Sequence, residues 1–274
     1  MKLNQIYIPS THTDPTRVST VTLIHGWGAE SRIWQDWATQ YLAPLHHVVL
    51  IDLPGFGDSP VALSTDSSTT LESLWLEALS AALPDKSHLL GWSLGGLLAQ
   101  KLAVQCPEKV MSLVCLASTP RFTQNDGWTR SVSPQIIGDF IKSIGIEASS
   151  VLKKFWRLQL QGSDKSRVLM KDLVKHMSSR KLPKLSSLNQ GLILLRDMDN
   201  RALLKQITQP TCWVLGEKDP LIPQDIRLNL QKLQPDASIK IIMGGSHIPF
   251  FSHPEETSQI LLDFWATQDN NAKI

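Results

Sequence analysis

Short apolar runs recur along the chain, and helical patterns separate most of them. Six runs have the length and the β-branched or apolar composition of buried strands: Val21–Ile24, Val48–Ile51, His88–Leu90, Leu113–Leu116, Cys212–Leu215 and Ile239–Met243. Apolar residues at helical spacing predict helices over Leu71–Leu83, Leu94–Cys106, 223–233 and 254–265. Because strands that alternate with helices form sheets covered on both faces, we predict an α/β fold with a mostly parallel central sheet flanked by helices.

This alternation stops between Pro120 and about Gln190. The segment contains basic, amphipathic helical stretches at Pro134–Ile144, Ser149–Leu160 and Lys165–Met177, and it has no convincing strand. We therefore predict an α/β core formed by residues 1–120 and 190–274, with an all-helical cap, residues 121–189, inserted over the sheet. The pattern before Thr20 does not allow us to place strands there.

Length and composition narrow the class of protein. The 274 residues, 42% of them hydrophobic, suit one large domain or one domain with an insertion. No stretch of about 18 uncharged apolar residues exists, so we expect no transmembrane helix. Residues 1–17 lack the apolar region of a secretory signal, and the three cysteines stand in scattered apolar contexts. We expect a cytoplasmic protein whose cysteines are reduced core thiols.

The net charge of +2 hides an uneven distribution. The segment Arg121–Lys184 holds 13 basic and five acidic residues, a net charge of +8, which leaves −6 for the rest of the chain. The overall balance argues against a protein that coats nucleic acid. A basic segment on an acidic body predicts an acidic partner, because such a field raises association rates.

The sequence Gly91-Trp92-Ser93-Leu94-Gly95 is a G-x-S-x-G motif. It follows a predicted strand and begins a predicted helix, which is the context in which this motif holds a catalytic serine at a sharp strand-to-helix turn. The glycines let the backbone pass closely, and the helix N-terminus favours developing negative charge. We predict that Ser93 is a nucleophile.

Acyl transfer also needs two backbone N–H groups directed at the carbonyl oxygen. We predict that Leu94, directly after the nucleophile, supplies one of them. The other is expected from Trp27, because the strand Val21–Ile24 runs into a glycine-containing turn there. His25 precedes the nucleophile, and we expect it to brace this turn by hydrogen bonds.

The acid and the base are expected at two further strand ends. Asp219 follows the run Cys212–Leu215, and Glu217 is its rival, although we expect Glu217 to be a salt-bridged surface residue. His247 follows the run Ile239–Met243 and a turn rich in glycine. Ser93, Asp219 and His247 thus stand in the chain order of the Ser-Asp-His triad.

Four segments together resemble the α/β-hydrolase superfamily: His25-Gly-Trp-Gly28, Asp52-Leu-Pro-Gly-Phe-Gly-Asp-Ser59, Gly91-Trp-Ser-Leu-Gly-Gly96 and His247-Ile-Pro-Phe-Phe-Ser-His-Pro254. Within it, the chain is most similar to the pimeloyl-[acyl-carrier protein] methyl ester esterases of biotin synthesis. This resemblance implies the same triad and a helical cap inserted after the sixth strand. It also implies substrate contacts from nine residues: Trp27, Ser93, Leu94, Phe155, Trp156, Arg157, Leu158, Gln159 and His247.

The resemblance further implies contacts to an acidic acyl carrier protein from Lys154, Arg167 and Lys171. Arg167 and Lys171 share one helix face because they are four residues apart. The alternative for these lysines and arginines is an ordinary solvated helix face. Likewise, Phe155, Trp156 and Leu158 could simply pack the cap onto the core.

The sequence therefore predicts a serine carboxylesterase that hydrolyses the methyl ester of pimeloyl-acyl carrier protein and needs no metal or organic cofactor. We expect a monomer whose partner is that carrier protein, with no nucleic acid and no membrane. Three alternatives stay open. They are a generalist short-chain carboxylesterase, a menaquinone-pathway lyase of the same fold, and a non-catalytic receptor or scaffold.

Overall fold

The computed structural model describes residues 1–63, 69–163, 166–178 and 180–271. Seven strands form one sheet in the order β1-β3-β2-β4-β5-β6-β7. They are β1 (Gln5–Ile8), β2 (Thr20–Ile24), β3 (His47–Ile51), β4 (Ser87–Trp92), β5 (Val110–Leu116), β6 (Thr211–Gly216) and β7 (Ser238–Ile242). Strand β1 pairs antiparallel with β3, and every other pair is parallel. Each of the six predicted runs overlaps a strand, which confirms the predicted sheet.

The helices are α1 (Gln35–Trp37), α2 (Leu71–Ala82), α3 (Leu94–Gln105), α4 (Pro134–Gln159), α5 (Ser166–Ser178), α6 (Leu185–Asp197), α7 (Arg227–Leu233), α8 (Pro249–Ser252) and α9 (Pro254–Asn271). Short 3-10 helices cover Pro15–Arg17, Ser31–Trp34, Leu204–Gln206 and Gln224–Ile226, and a π-helix covers Ala38–Leu42. In the described ranges, none of these helices is long and apolar enough to span a membrane.

The N-terminal region corrects one expectation. Strand β1, which we could not place from sequence, lies at the edge of the sheet and alternates exposed with half-buried side chains. Counting it, helices α4–α6 follow the fifth strand, and not the sixth as the resemblance implied. The described residues form one strand, β1, before β2, so that five strands precede α4. A cap after the sixth strand would need one more strand in that N-terminal region.

Helices α4, α5 and α6 form the connection between β5 and β6. Two predicted stretches merge into the single helix α4, which has non-helical backbone angles at Glu147 (φ −149°, ψ 79°). Helix α6 runs through the boundary that we predicted between residues 189 and 190, so the helical segment extends to Asp197. The reason is that buried apolar residues continue at helical spacing through Leu188, Leu192 and Leu195.

The sheet core positions the loops that follow its strands. Strands β4 and β6 are buried along their whole length, and the three cysteines are buried and unpaired, as predicted. Burial raises the pKa of the Cys212 thiol to about 11, which keeps it protonated. Because β2, β4, β6 and β7 run parallel, the loops at their carboxyl ends meet at one edge, where ligands bind in folds of this kind.

Candidate active site

Ser93 lies in a strained turn between β4 and α3. Its backbone is in the left-handed half of the map (φ 56°, ψ −118°), which non-glycine residues rarely adopt. A Cβ atom on Gly91 would collide with the backbone of Gly95 and Gly96, and a Cβ atom on Gly95 would collide with the Ile24 carbonyl. The glycines therefore allow the tight packing that holds the serine at the strand end, as the motif predicts.

The three predicted triad side chains lie together in a buried chain of hydrogen bonds. The Ser93 Oγ is 2.9 Å from His247 Nε2, and His247 Nδ1 is 2.8 Å from Asp219 Oδ2. The second oxygen of Asp219 accepts hydrogen bonds from the N–H groups of Leu221 (2.8 Å) and Ile222 (3.0 Å). With Nδ1–H donating to the carboxylate, Nε2 is free to accept the serine proton.

The backbone of His247 is fixed on two sides. Its N–H donates to the carbonyl of Gln159, the last residue of α4, at 3.0 Å. Its carbonyl accepts a hydrogen bond from the indole N–H of Trp92 at 2.8 Å. The backbone of His247 is thus held by strand β4 and by helix α4 together.

Glu217, the rival acid, lies apart from this chain of hydrogen bonds. Its Oε2 accepts a hydrogen bond from the Gly244 N–H at 2.9 Å, and its Oε1 is 3.7 Å from Lys218 Nζ. The predicted salt-bridged role of Glu217 is confirmed. Asp219 is therefore the carboxylate that orients His247.

The predicted oxyanion donors lie at two element ends beside Ser93. Leu94 is the first residue of α3, and Trp27 lies in the turn 26–29, which the Ala29 N–H closes onto the Gly26 carbonyl at 3.4 Å. Gly28 in this turn has a φ of +74°. Among the described residues, neither the Trp27 N–H nor the Leu94 N–H has a hydrogen-bond partner. Both donors therefore remain free for an oxygen of the substrate.

His25 braces the same turn, as predicted. Its Nδ1 is 2.8 Å from the Gly26 carbonyl, and its Nε2 accepts the Leu53 N–H at 2.9 Å. Burial lowers the pKa of His25, so the ring is neutral and Nδ1 carries the proton. His25 therefore supports the turn and is not positioned to exchange protons with Ser93.

An apolar pocket extends from Ser93 beneath α4 and α6. Its other lining residues are all hydrophobic: Phe122, Val132, Ile136, Ile137, Phe140, Phe155, Leu158, Leu192, Leu195 and Leu221. Two of the predicted substrate contacts in α4, Phe155 and Leu158, thus line this pocket. The pocket suits a hydrocarbon chain, because it offers few groups that would hydrogen-bond a polar one.

The other predicted contacts in α4 lie elsewhere. Trp156 is buried and its indole N–H donates to the Gly28 carbonyl at 2.9 Å, while Arg157 is exposed. Gln159 contributes its carbonyl to His247. The structure thus brings Phe155 and Leu158 to this pocket but not Trp156, Arg157 or Gln159, whose substrate contacts stay a prediction. The reason is geometric: each helical residue is rotated by about 100° from the last, so five consecutive residues cannot share one face.

Trp27 is buried between α4 and α6, and helix α6 was not among the predicted contacts. The Trp27 indole N–H donates to the Leu188 carbonyl at 2.9 Å, and its ring packs edge-on against Phe155 with centroids 4.8 Å apart. Gly191 lies directly against Trp27, since a Cβ atom there would be 2.7 Å from the ring. A glycine inside an apolar helical pattern was the signal for this close packing.

Two of the three predicted carrier-protein contacts lie on the outer surface of the helical segment. Lys154 in α4 and Lys171 in α5 are exposed, and neither forms an ion pair with another described residue. Arg167 lies in α5, but its side chain is outside the described part of the structure. Lys171 and Lys175 share one face of α5 because they are four residues apart.

The fold, the strained turn at Ser93 and the buried hydrogen-bond chain Ser93–His247–Asp219, here called the relay, define the class of protein. The chain belongs to the α/β-hydrolase family, whose model matches residues 23–260.

Two similar relatives share a name. A pimeloyl-[acyl-carrier protein] methyl ester esterase of Photobacterium profundum is 39% identical over 90% of this chain and 94% of the relative. A protein of the same name from Aeromonas salmonicida is 36% identical over 89% of this chain and 94% of its own length. Among solved structures, an esterase from Exiguobacterium antarcticum has a TM-score of 0.81 at 21% identity, covering 96% of this chain and 94% of that one.

Proposed function

We propose that this chain is a serine carboxylesterase that hydrolyses the methyl ester of pimeloyl-acyl carrier protein to the free carboxylate and methanol. The observation that carries the proposal is the buried Ser93–His247–Asp219 relay, which opens into an apolar pocket. The names of relatives that match nine-tenths of the chain give the substrate.

The geometry supports a two-step acyl transfer. Ser93 Oγ attacks the ester carbonyl carbon while its proton passes to His247 Nε2, and the carbonyl oxygen becomes an anion that the Trp27 and Leu94 N–H groups bind. The tetrahedral intermediate collapses, its bond to the methoxy oxygen breaks, and His247 protonates the departing methanol. Water then attacks the acyl-serine with His247 as base, which frees the carboxylic acid and Ser93. Asp219 orients the imidazole and stabilises its charged form in both steps.

The apolar lining of the pocket supports a substrate with a methylene chain. Leu192 and Leu195 of α6 and Phe140, Phe155 and Leu158 of α4 line it with hydrocarbon. A methyl ester carries no charge, so it can reach Ser93 through these side chains without the cost of burying a carboxylate. The carrier protein then stays outside, attached through the other end of the chain.

We propose that helices α4–α6 act as a cap that recognises this carrier. The cap carries the exposed Lys154 and Lys171, and the net charge of +8 on Arg121–Lys184 suits an acidic partner. The proposed contacts are Lys154, Arg167 and Lys171.

Methanol release from pimeloyl methyl ester on acyl carrier protein is the deciding measurement, with p-nitrophenyl esters as the comparison. We expect a much higher kcat/KM for the carrier-linked ester. Ser93→Ala should abolish turnover of both, and an organophosphonate should label the wild-type chain but not this variant. A chain that the reagent does not label would be a receptor or scaffold, and no esterase.

Charge reversal separates a carrier-specific enzyme from a generalist esterase. Lys154→Glu, Arg167→Glu and Lys171→Glu together should lower kcat/KM for the carrier-linked ester by about 10- to 100-fold at low salt, because rim charges act mainly on association. Turnover of p-nitrophenyl acetate should stay the same. Lys86→Glu, Lys232→Glu and Lys240→Glu together, at exposed positions on the core, are the matched control. Equal effects of both sets on the carrier-linked ester would favour the generalist.

The lyase alternative requires recognition of an anionic ring substrate. Apart from Ser93, the described residues that line the pocket offer hydrocarbon side chains, which disfavour such a ligand. Oxygen from labelled water should appear in the acid product of the esterase reaction. An elimination would give product without that label.

A further inference from the structure

Helix α4 covers the outer face of the turn 26–29, which carries one of the proposed oxyanion donors. The Trp156 indole N–H donates to the Gly28 carbonyl at 2.9 Å, and the Trp156 side chain is buried. Leu152, one helical turn earlier, also packs against Gly28, since a Cβ atom there would be 2.9 Å from Leu152 Cδ2. The cap therefore contacts the backbone of the turn directly.

The core holds the same turn from the opposite side. His25 donates to the Gly26 carbonyl, whereas Trp156 donates to the Gly28 carbonyl. The Gly26 carbonyl belongs to the same peptide group as the Trp27 N–H, and the Gly28 carbonyl belongs to the peptide group that joins Gly28 to Ala29. A buried N–H group therefore fixes the turn both before and after Trp27. Oxyanion stabilisation depends on donors that point in the right direction before the charge forms. Two fixed carbonyls supply that constraint on the Trp27 N–H.

We propose that Trp156 is a positioning residue that fixes the direction of the Trp27 N–H through the Gly28 carbonyl. Its side chain touches neither the pocket nor the reacting atoms. The inference rests on the proposed esterase reaction and deepens it, because it makes the cap part of the oxyanion site. Docking of α4 then affects the chemical step and not substrate capture alone.

The effect should fall on kcat, since the carbonyl oxygen is anionic only after Ser93 Oγ has bonded to carbon. Loss of the indole donor leaves the buried Gly28 carbonyl without its partner and lets the turn rotate. The Michaelis complex holds a neutral carbonyl and needs the Trp27 N–H less. Loss of an interaction that is made mainly in the transition state lowers kcat and kcat/KM together and leaves KM nearly unchanged.

Trp75 offers a matched control. It is also fully buried, and its indole N–H donates to Gln190 Oε1 of α6 at 3.2 Å. Trp75→Phe therefore removes the same kind of contact between core and cap, with the same change in side-chain size. It does so without touching the turn 26–29.

The experiment compares Trp156→Phe with Trp75→Phe on a p-nitrophenyl ester. For Trp156→Phe we expect kcat to fall about 10-fold, with KM within about two-fold of wild type, since losing an oxyanion donor outright costs 100-fold or more. Inhibition by an alkyl trifluoromethyl ketone should weaken by a similar factor, because its adduct with Ser93 places an oxyanion at the same donors. Trp75→Phe should change all three quantities by less than about two-fold.

A second variant removes the N–H alone. Benzothienylalanine at position 156 keeps the shape of the ring and replaces the N–H by sulfur, so it also covers the case in which Trp156→Phe does not fold. We expect the same loss of kcat and of ketone affinity. If the position-156 variants match the position-75 control while the wild type is active, the inference is wrong and the proposed function stands. A wild type that neither hydrolyses esters nor reacts with organophosphonate overturns both.

Discussion

The catalytic relay and the cap helices meet at Ser93, but different interactions hold them in place. Relay residues follow parallel strands, where backbone packing at Gly91 and Gly95 and a buried hydrogen-bond chain fix them. The cap is attached through apolar faces and a few hydrogen bonds from tryptophan side chains to backbone carbonyls. The core thus supplies reactive geometry from its backbone, whereas the cap supplies pocket shape from side chains. Perturbing each region in turn tests that division.

The largest effect is expected in the core, from Asp219→Asn. The amide oxygen would take the place that accepts the Leu221 and Ile222 N–H groups, so the amide NH₂ group would face His247 Nδ1 and donate to it. The imidazole then takes the wrong tautomer, and kcat should fall by about 10⁴-fold. Steady-state kinetics on a p-nitrophenyl ester measure this. Glu217→Gln is the control, since Glu217 binds Gly244 and lies outside the relay. A larger loss from Glu217→Gln than from Asp219→Asn would reassign the acid.

The second prediction concerns the end of the sheet where the parallel strands begin, on the side away from Ser93. His46 lies there beside Ser19 (2.9 Å) and against Trp265, and burial lowers its pKa to about 4. The unfolded chain binds a proton near pH 6.5 that the folded chain does not, so stability falls as pH decreases from 6.5 to 4. Integrated over that range, the loss is about 3 kcal/mol. The pKa of the buried His25 and that of the half-buried His176 are also lowered.

Denaturant unfolding at pH 7.5 and pH 5 measures this dependence. His46→Gln should flatten the slope between pH 6.5 and 4 and leave the part that His25 and His176 contribute. His12→Gln is the control, because His12 is half-buried and lies on the N-terminal segment. If the slope of stability against pH is the same in His46→Gln as in the wild type, His46 has the same pKa in the folded and the unfolded chain.

The third effect tests the contact between cap and core at Trp27. Gly191→Ala places a methyl group 2.7 Å from the Trp27 ring and 3.3 Å from Leu94, so α6 or the ring must move. We expect kcat/KM to fall about 10-fold with a stability loss of about 1–3 kcal/mol, the range for overpacking. Gly145→Ala in α4 is the control.

A methyl group at Gly145 meets nothing within 4 Å, so that variant should keep full activity. It should gain up to about 1 kcal/mol of stability from helix propensity. Circular dichroism melts and kinetics on both variants check the pair. Equal activity in the two variants would mean that Trp27 tolerates displacement.

The smallest effect is expected at an ion pair between the half-buried Arg180 and the buried Glu30. Arg180 Nε lies 3.5 Å from Glu30 Oε1, and burial raises the pKa of Glu30. Arg180→Gln leaves Glu30 with Arg32 at 3.6 Å, so the loss of global stability should be about 1 kcal/mol or less. Amides of α5 should exchange hydrogen faster while those of β4 stay protected. Faster exchange in the sheet would contradict the separate attachment of the cap.

Sequence reasoning located the relay because its physical signals are local. A glycine-rich turn after an apolar run marks a strand end, and Ser93, Asp219 and His247 each follow such a run. The chain order Ser-Asp-His then restricts the acid to Glu217 or Asp219 and the base to a histidine that follows them. The strands were predictable for the same reason, since β2–β7 carry buried apolar runs. Strand β1 is short, lies at the edge and has only half-buried positions, so its pattern is weak.

The cap was less predictable because rotation about a helix axis decides the role of each side chain. Sequence patterns give the apolar face of α4, but they do not say that Phe155 faces the pocket while Trp156 reaches Gly28. The boundary at residue 189 stays a prediction, and it lies inside α6, where nothing in the composition marks a division. The Trp27 indole donates to the backbone carbonyl of Leu188. Every residue type has such a carbonyl, so the sequence cannot indicate this contact.

The irregular backbone at Glu147 divides α4 into two halves, which are attached to the core in different ways. The second half carries Trp156 and Gln159, whose bonds reach the oxyanion turn and His247, so this half cannot tilt without disturbing the chemistry. Ile136 and Phe140 on the first half line the pocket but make no such bond within the described chain. The first half therefore bears on the site only through the side chains that it places in the pocket, whereas the second half is also bonded to the backbone beside Ser93.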